Sequence, residues 1–116
     1  MTLFAYGFAA VLLVAGAYHF IHPSFYYPII PDWLPRRASN AAGGAAEILI
    51  GLLMLFPATR VTGLWMAAAL MVVFVPVHIV DLLRSRPVIG SKWIAVIRLL
   101  LQFALIAWLV WEARRA

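Results

Sequence analysis

The chain has no cysteine, and charged residues fill only 11% of its 116 positions. The first absence excludes disulfides, thiol redox catalysis, thiolate metal sites and iron–sulfur clusters. The second, beside 66% hydrophobic residues and a mean hydropathy of +1.01, excludes a water-soluble domain, because a chain this short has no core large enough to hide so much apolar surface. Also missing are a nucleophile–base arrangement, a Gly-rich phosphate loop, a membrane-protease motif and any repeat period. The net charge of +5 would suggest nucleic acid in a soluble protein. Here Lys and Arg lie mostly in loops and ends, the usual membrane pattern, so no nucleic-acid partner is expected. At about 20 residues per span, the length provides one transmembrane domain over residues 1–116: an all-α bundle of four helices, with the lipid bilayer as its first partner.

What is present divides the chain cleanly. The apolar runs predict helices over residues 2–21, 41–56, 61–83 and 93–111. The start, Met1-Thr2-Leu3, lacks a basic segment, and although Ala15-Gly16-Ala17 imitates a cleavage site, the first helix is expected to be retained. Residues 22–37 hold Pro23, Pro28, Pro31 and Pro35 among Phe25, Tyr26, Tyr27 and Trp33. Such a segment cannot be a long helix, and its aromatics favour the headgroup zone, so it is expected to lie over the bundle as a lid that includes Tyr26, Tyr27 and Trp33. Ser39-Asn40 offers an N-cap to the second helix. The short turn at Pro57-Ala58-Thr59-Arg60 makes the second and third helices antiparallel neighbours. Arg36, Arg37, Arg84, Arg86 and Lys92 lie on the long-loop face against Arg60, Arg114 and Arg115 on the other. That margin leaves the orientation open, because counting Arg36 and Arg37 with the lid makes it three against three.

The polar residues inside the apolar runs carry the functional reading. At 1.5 Å per residue, His19, Glu47, His78, Asp81, Arg98 and Gln102 all fall in the half of the membrane nearest the long loops. The opposite half has almost nothing polar before its ends. Polar groups at membrane depth are expensive and mark function by default, so these six are expected to line one pocket open toward the lid. Glu47 with Arg98 is the expected central pair, since each is costly alone and tolerable when paired. His78 and Asp81, at i and i+3, share a face and either satisfy one another or serve a ligand or proton. His19 and His22 would share a face too if the first helix ran that far. A carboxylate, an arginine, an amide and imidazoles among apolar walls suit a small polar or quinone-like head group. His19, His78, Glu47 and Asp81 are acceptable metal ligands, but their spacing matches no metal motif and Arg98 would oppose a cation, so no metal is assigned.

The order of motifs resembles the DoxX-like family of small four-helix membrane proteins. The resemblance is carried by Gly16-Ala17-Tyr18-His19-Phe20, the loop from Pro23-Ser24-Phe25-Tyr26 to Pro31-Asp32-Trp33-Leu34-Pro35, and Gly44-Ala45-Ala46-Glu47-Ile48-Leu49 with Gly51-Leu52-Leu53. It continues in Pro57-Ala58-Thr59-Arg60, Phe74-Val75-Pro76-Val77-His78-Ile79 and Ile97-Arg98-Leu99-Leu100-Leu101-Gln102. Members of that family commonly carry Pro-Ala-Asn where this chain has Pro76-Val77-His78. The imidazole keeps the hydrogen bonding of an amide and adds a titratable group. The resemblance implies a bacterial-type plasma (inner) membrane and a redox subunit with a quinone as ligand. Its alternative implication is an assembly factor or structural subunit that docks a membrane-protein partner or another copy of itself. Fold alone does not choose between these activities.

Overall fold

The computed structural model describes residues 1–116 and is all-helical. Four long helices are α1 (Leu3–Ile21), α2 (Arg36–Leu55), α3 (Arg60–Leu83) and α4 (Lys92–Arg115), with short 3-10 turns at Pro23–Phe25 and Tyr27–Ile29 between α1 and α2 and at Pro57–Thr59 between α2 and α3, and an irregular loop between α3 and α4. Each of the four is long and apolar enough to cross a bilayer, and the chain is an integral membrane protein. Its exterior agrees: Leu3, Trp93 and Val14 are 86%, 76% and 70% exposed, a surface that only lipid tails can solvate without cost.

Helix ends follow local chemistry. Thr2 and Ser91 are the N-caps of α1 and α4, their hydroxyls accepting from the amides of Ala5 and Ile94 at 3.3 Å, which satisfies donors a helix start leaves open. At the end of α2 the Arg60 guanidinium donates to the carbonyls of Met54 and Leu55 at 3.1 Å, and the Thr59 hydroxyl to that of Leu53 at 2.8 Å. Those carbonyls would otherwise be unpaired at a helix terminus.

Two boundaries differ from the sequence expectation. The second helix starts at Arg36, not residue 41, because Pro35 occupies the cap position and the residues after it are free to be helical; Ser39 and Asn40 lie in its first turns and cap nothing. The fourth helix continues past residue 111 to Arg115. Its polar end is held by a hydrogen bond from the Thr2 hydroxyl to Glu112 and by Arg115 lying 4.3 Å over the Trp111 ring. The Thr2 contact also ties the start of α1 to the end of α4, and Phe8 meets Trp108 edge to face nearby, with ring centroids 6.0 Å apart.

The helices pack in sequence order, α1 on α2, α2 on α3 and α3 on α4. Between helices in lipid the attraction comes from close packing and not from apolar transfer, which makes small residues the determinants of approach. A stripe of Ala9, Leu12, Gly16 and His19 on α1 is buried against Asn40, Gly44, Glu47 and Gly51 on α2. Gly16 and Gly44 meet so closely that a methyl group on Gly16 would lie 2.8 Å from the Gly44 carbonyl oxygen. Leu12, Ile50, Met54, Leu64, Met71 and Leu109 fill the core in the half away from the lid. The lid half is where the polar residues meet.

Candidate functional site

The tight α1–α2 crossing sets the site, because His19 follows Gly16 by one turn and Glu47 follows Gly44 by one turn, so both ride on the contact stripe. His19 is 8% exposed and Glu47 6%, and His19 Nε2 faces Glu47 Oε2 at 3.4 Å. That separation is an ion-pair distance, but the atoms are not aligned for a hydrogen bond, and Glu47 Oε2 has no hydrogen-bond partner. The other face of the ring system is ordered by Asn40, whose amide oxygen lies 2.6 Å from His19 Nδ1 and whose amide nitrogen donates to the His19 carbonyl at 2.8 Å. Tyr26 lies flat on the imidazole, with centroids 3.5 Å apart and planes 11° apart. Its hydroxyl donates to the Ala15 carbonyl at 3.1 Å. Burial first, and then the charge of Glu47, raise the Tyr26 hydroxyl above its ordinary value of 10.0, so it stays neutral and donating.

Beside this group opens a cavity of about 450 Å³, walled by α2, α3 and the proline-aromatic loop. His19, Tyr26, Ser39, Asn40, Glu47 and His78 are its polar lining residues, while Ile29, Ile30, Leu34, Leu70, Val73 and Phe74 are among its apolar lining. His78 Nδ1 is buried at this wall without a hydrogen-bond partner. An unmet buried polar atom costs about 1–3 kcal/mol, and such atoms in a native fold call for an explanation. Here two of them, Glu47 Oε2 and His78 Nδ1, belong to residues of the same cavity.

The six residues expected to share one pocket therefore divide. Glu47 does not pair with Arg98. Arg98 Nη2 bonds Asp81 Oδ2 at 2.9 Å, since α4 packs on α3 while the Glu47 stripe is turned to α1. Nor does Asp81 pair with His78. Its carboxylate, 0% exposed, accepts from Arg84 and Arg98 at 2.9 Å and from the amides of Val88 and Ile89 at 2.8 and 3.4 Å. Four donors hold its charge and fasten the α3–α4 loop to the helix ends, leaving nothing for a ligand. Gln102 donates to the Met71 carbonyl at 2.8 Å, an interhelical bond that joins α4 to α3. Asp81, Arg98 and Gln102 are absent from the cavity wall. The geometry brings together no group of three His, Asp or Glu residues that could share a metal ion.

The proline-aromatic loop does cover the cavity, but through different residues than the aromatics alone suggest. Tyr26 lies at the wall with Ile29, Ile30, Pro31 and Leu34, whereas Tyr27 and Trp33 do not reach it; Trp33 is 74% exposed and points away. Tyr26 and Tyr27 differ because successive residues of a 3-10 path point about 120° apart, and Trp33 follows both turns. Helix α1 ends at Ile21, so His22 does not join His19 on a helical face; its ring bonds the Ser24 hydroxyl at 3.2 Å instead. Sequence reading missed Asn40 as a site residue because a cap position accounts for it equally well. A signal was available: Asn40, Gly44, Glu47 and Gly51 recur at i, i+4, i+7 and i+11, one helical face.

A family model described as a domain of unknown function, DUF8561, matches residues 8–113, and the chain belongs to that family. No curated protein and no solved structure matches it.

Proposed function

We propose that this protein binds a small amphipathic molecule of the quinone class within the membrane, its head group at Glu47 and His78 and its apolar part along Leu70, Val73 and Phe74, and that it does so as a subunit of a membrane redox system. The observation that carries the reading is the pair of unpartnered buried atoms, Glu47 Oε2 and His78 Nδ1, in residues lining one cavity of about 450 Å³. That volume falls in the range of small-molecule sites, which are mostly apolar with a few convergent polar groups. The redox setting and the plasma membrane of a bacterial-type cell come from the resemblance to DoxX-like proteins.

The rival reading, an assembly factor docking another membrane protein through glycine- and alanine-rich faces, has less support. Gly16, Gly44, Gly51 and Gly63 are all consumed by contacts inside the bundle, and Gly7 alone has open space where a methyl would go. The test is a binding titration of the reconstituted protein with a short-tailed alkyl benzoquinone and its quinol. Glu47→Gln and His78→Ala abolish binding while the protein still inserts and keeps its helicity. Equal affinity in wild type and both variants, or no binding of either probe to wild type, would overturn the proposal.

A further inference from the structure

The Asn40 side chain does more than fill a contact. The carbonyl of His19 has no helical partner, because the residue four positions on is Pro23, which has no N–H. An Asn side chain placed 2.8 Å from that oxygen must present its nitrogen, since two acceptors would repel. The amide orientation is thereby settled, and the Asn40 oxygen is the atom facing His19 Nδ1 at 2.6 Å. An amide oxygen only accepts, so Nδ1 carries the ring proton, and in the neutral ring Nε2 is left with a lone pair. Tyr26, stacked on the face of the imidazole, prevents the ring from turning to exchange the two nitrogens. Nε2 therefore presents an acceptor toward Glu47 Oε2, itself unpartnered on a side chain only 8% exposed. With Glu47 as carboxylate, two acceptors 3.4 Å apart repel unless a third group donates to both, and the clamp is that form of the pair. Arg84 and Arg98 do not supply that group, because both are engaged by Asp81.

We infer that His19 Nε2 and Glu47 Oε2 form a two-acceptor clamp, held in that state by Asn40 as a positioning residue, and that the clamp selects a head group bearing an O–H. Within the proposed function, on which this rests, the site takes the hydroxyl-bearing, reduced member of a quinone–quinol couple in preference to the carbonyl-only, oxidised one. A quinone offers only acceptors and would face two acceptors. A quinol hydroxyl lying beside the pair directs its one hydrogen to both, as a three-centre bond.

The experiment uses the full chain in lipid nanodiscs, titrated with p-octylphenol and with its methyl ether, two probes of similar shape and apolarity that differ by one donor. The phenol binds wild type roughly tenfold more tightly than the ether, equivalent to about 1.4 kcal/mol. In Asn40→Leu, where the ring is released, the ratio falls toward one. Nitrogen NMR of the histidine ring in wild type at pH 7 reads the tautomer directly, with Nδ1 protonated and Nε2 bare at His19. Equal binding of phenol and ether by wild type overturns the clamp and leaves the cavity as a binding site. Failure of both probes overturns the clamp together with the proposed function. A His19 ring protonated at Nε2, or at both nitrogens, overturns the inference whatever the binding data, as does an unchanged ratio in a folded Asn40→Leu protein. If Asn40→Leu does not fold, the wild-type ratio and the tautomer still decide.

Discussion

Replacing Asp81 by Asn tests whether the polar residues of this half of the membrane have two separate roles. The substitution keeps the shape and removes the charge. Four donors now converge on the carboxylate, two of them arginine side chains at 2.9 Å, and an amide can accept from only part of this set while turning an NH2 toward the rest. Breaking a buried charge pair by removing one partner costs about 3–5 kcal/mol. The arginine side chains keep some contact with solvent, 25% for Arg84 and 18% for Arg98, which places the expectation near the low end, about 3 kcal/mol. Reversible unfolding in mixed micelles measures it, with Lys92→Ala as a control that removes a single exposed contact to the Leu82 carbonyl. Because Asp81 does not reach the cavity, binding per folded molecule is unchanged. A loss below about 1 kcal/mol, the scale of an exposed ion pair, would refute the reasoning that Asp81 anchors the α3–α4 loop. A full loss of binding by protein shown to be folded would refute the separation of the two clusters.

Adjacent glycines of α2 should respond in opposite ways. A methyl on Gly44 would lie 2.7 Å from His19 Cβ and 3.0 Å from the Gly16 carbonyl, so Gly44→Ala forces α1 and α2 apart and costs about 1–3 kcal/mol; on Gly43 it would meet only the His19 ring at ordinary contact, Cε1 at 3.7 Å and Nε2 at 4.0 Å, so Gly43→Ala is neutral or stabilising by up to about 1 kcal/mol through helix propensity. The same unfolding assay compares them, and equal effects would contradict the packing described for the crossing. Gln102→Leu loses the bond to the Met71 carbonyl, an interhelical contact of the kind worth about 0.6 kcal/mol on average in membranes, and equilibrium unfolding of that variant should show a loss of this size. The raised Tyr26 hydroxyl gives a pH dependence whose sign is fixed. The folded protein holds the phenol proton more tightly than the unfolded chain does, so this contribution to stability is fully present below the ordinary tyrosine value of 10.0 and is lost as pH rises above it. An ultraviolet titration should find a component ionising above 10.0, and Tyr26→Phe removes it.

The fold was legible because its signals are collective. Four apolar runs separated by prolines and charges leave few alternatives in a bilayer, and the absence of any long polar stretch leaves no room for a second domain in these residues. The level of the polar residues could likewise be counted from helix ends. Their partners could not. Glu47 and Arg98 are the obvious charges to join on a linear reading, yet which face of α2 meets which neighbour depends on Gly16 and Gly44, whose contact brings Glu47 to His19. Arg98 is claimed by Asp81, a residue whose nearer sequence partner is His78. Asn40 illustrates a related ambiguity, since a residue that suits a helix cap suits a buried bridge equally well, and only the starting point of α2 at Arg36 removes the first role. The lid was legible as a segment and not residue by residue, because two short 3-10 turns and the irregular residues after them share no single period.

Native mass spectrometry of the gently extracted protein, wild type beside Glu47→Gln, with extraction of whatever small molecules travel with it, tests the central claim most directly. The account predicts a small amphiphile retained by wild type and lost from a folded Glu47→Gln protein. An empty wild type that keeps a second polypeptide, retained equally by the variant, would contradict it.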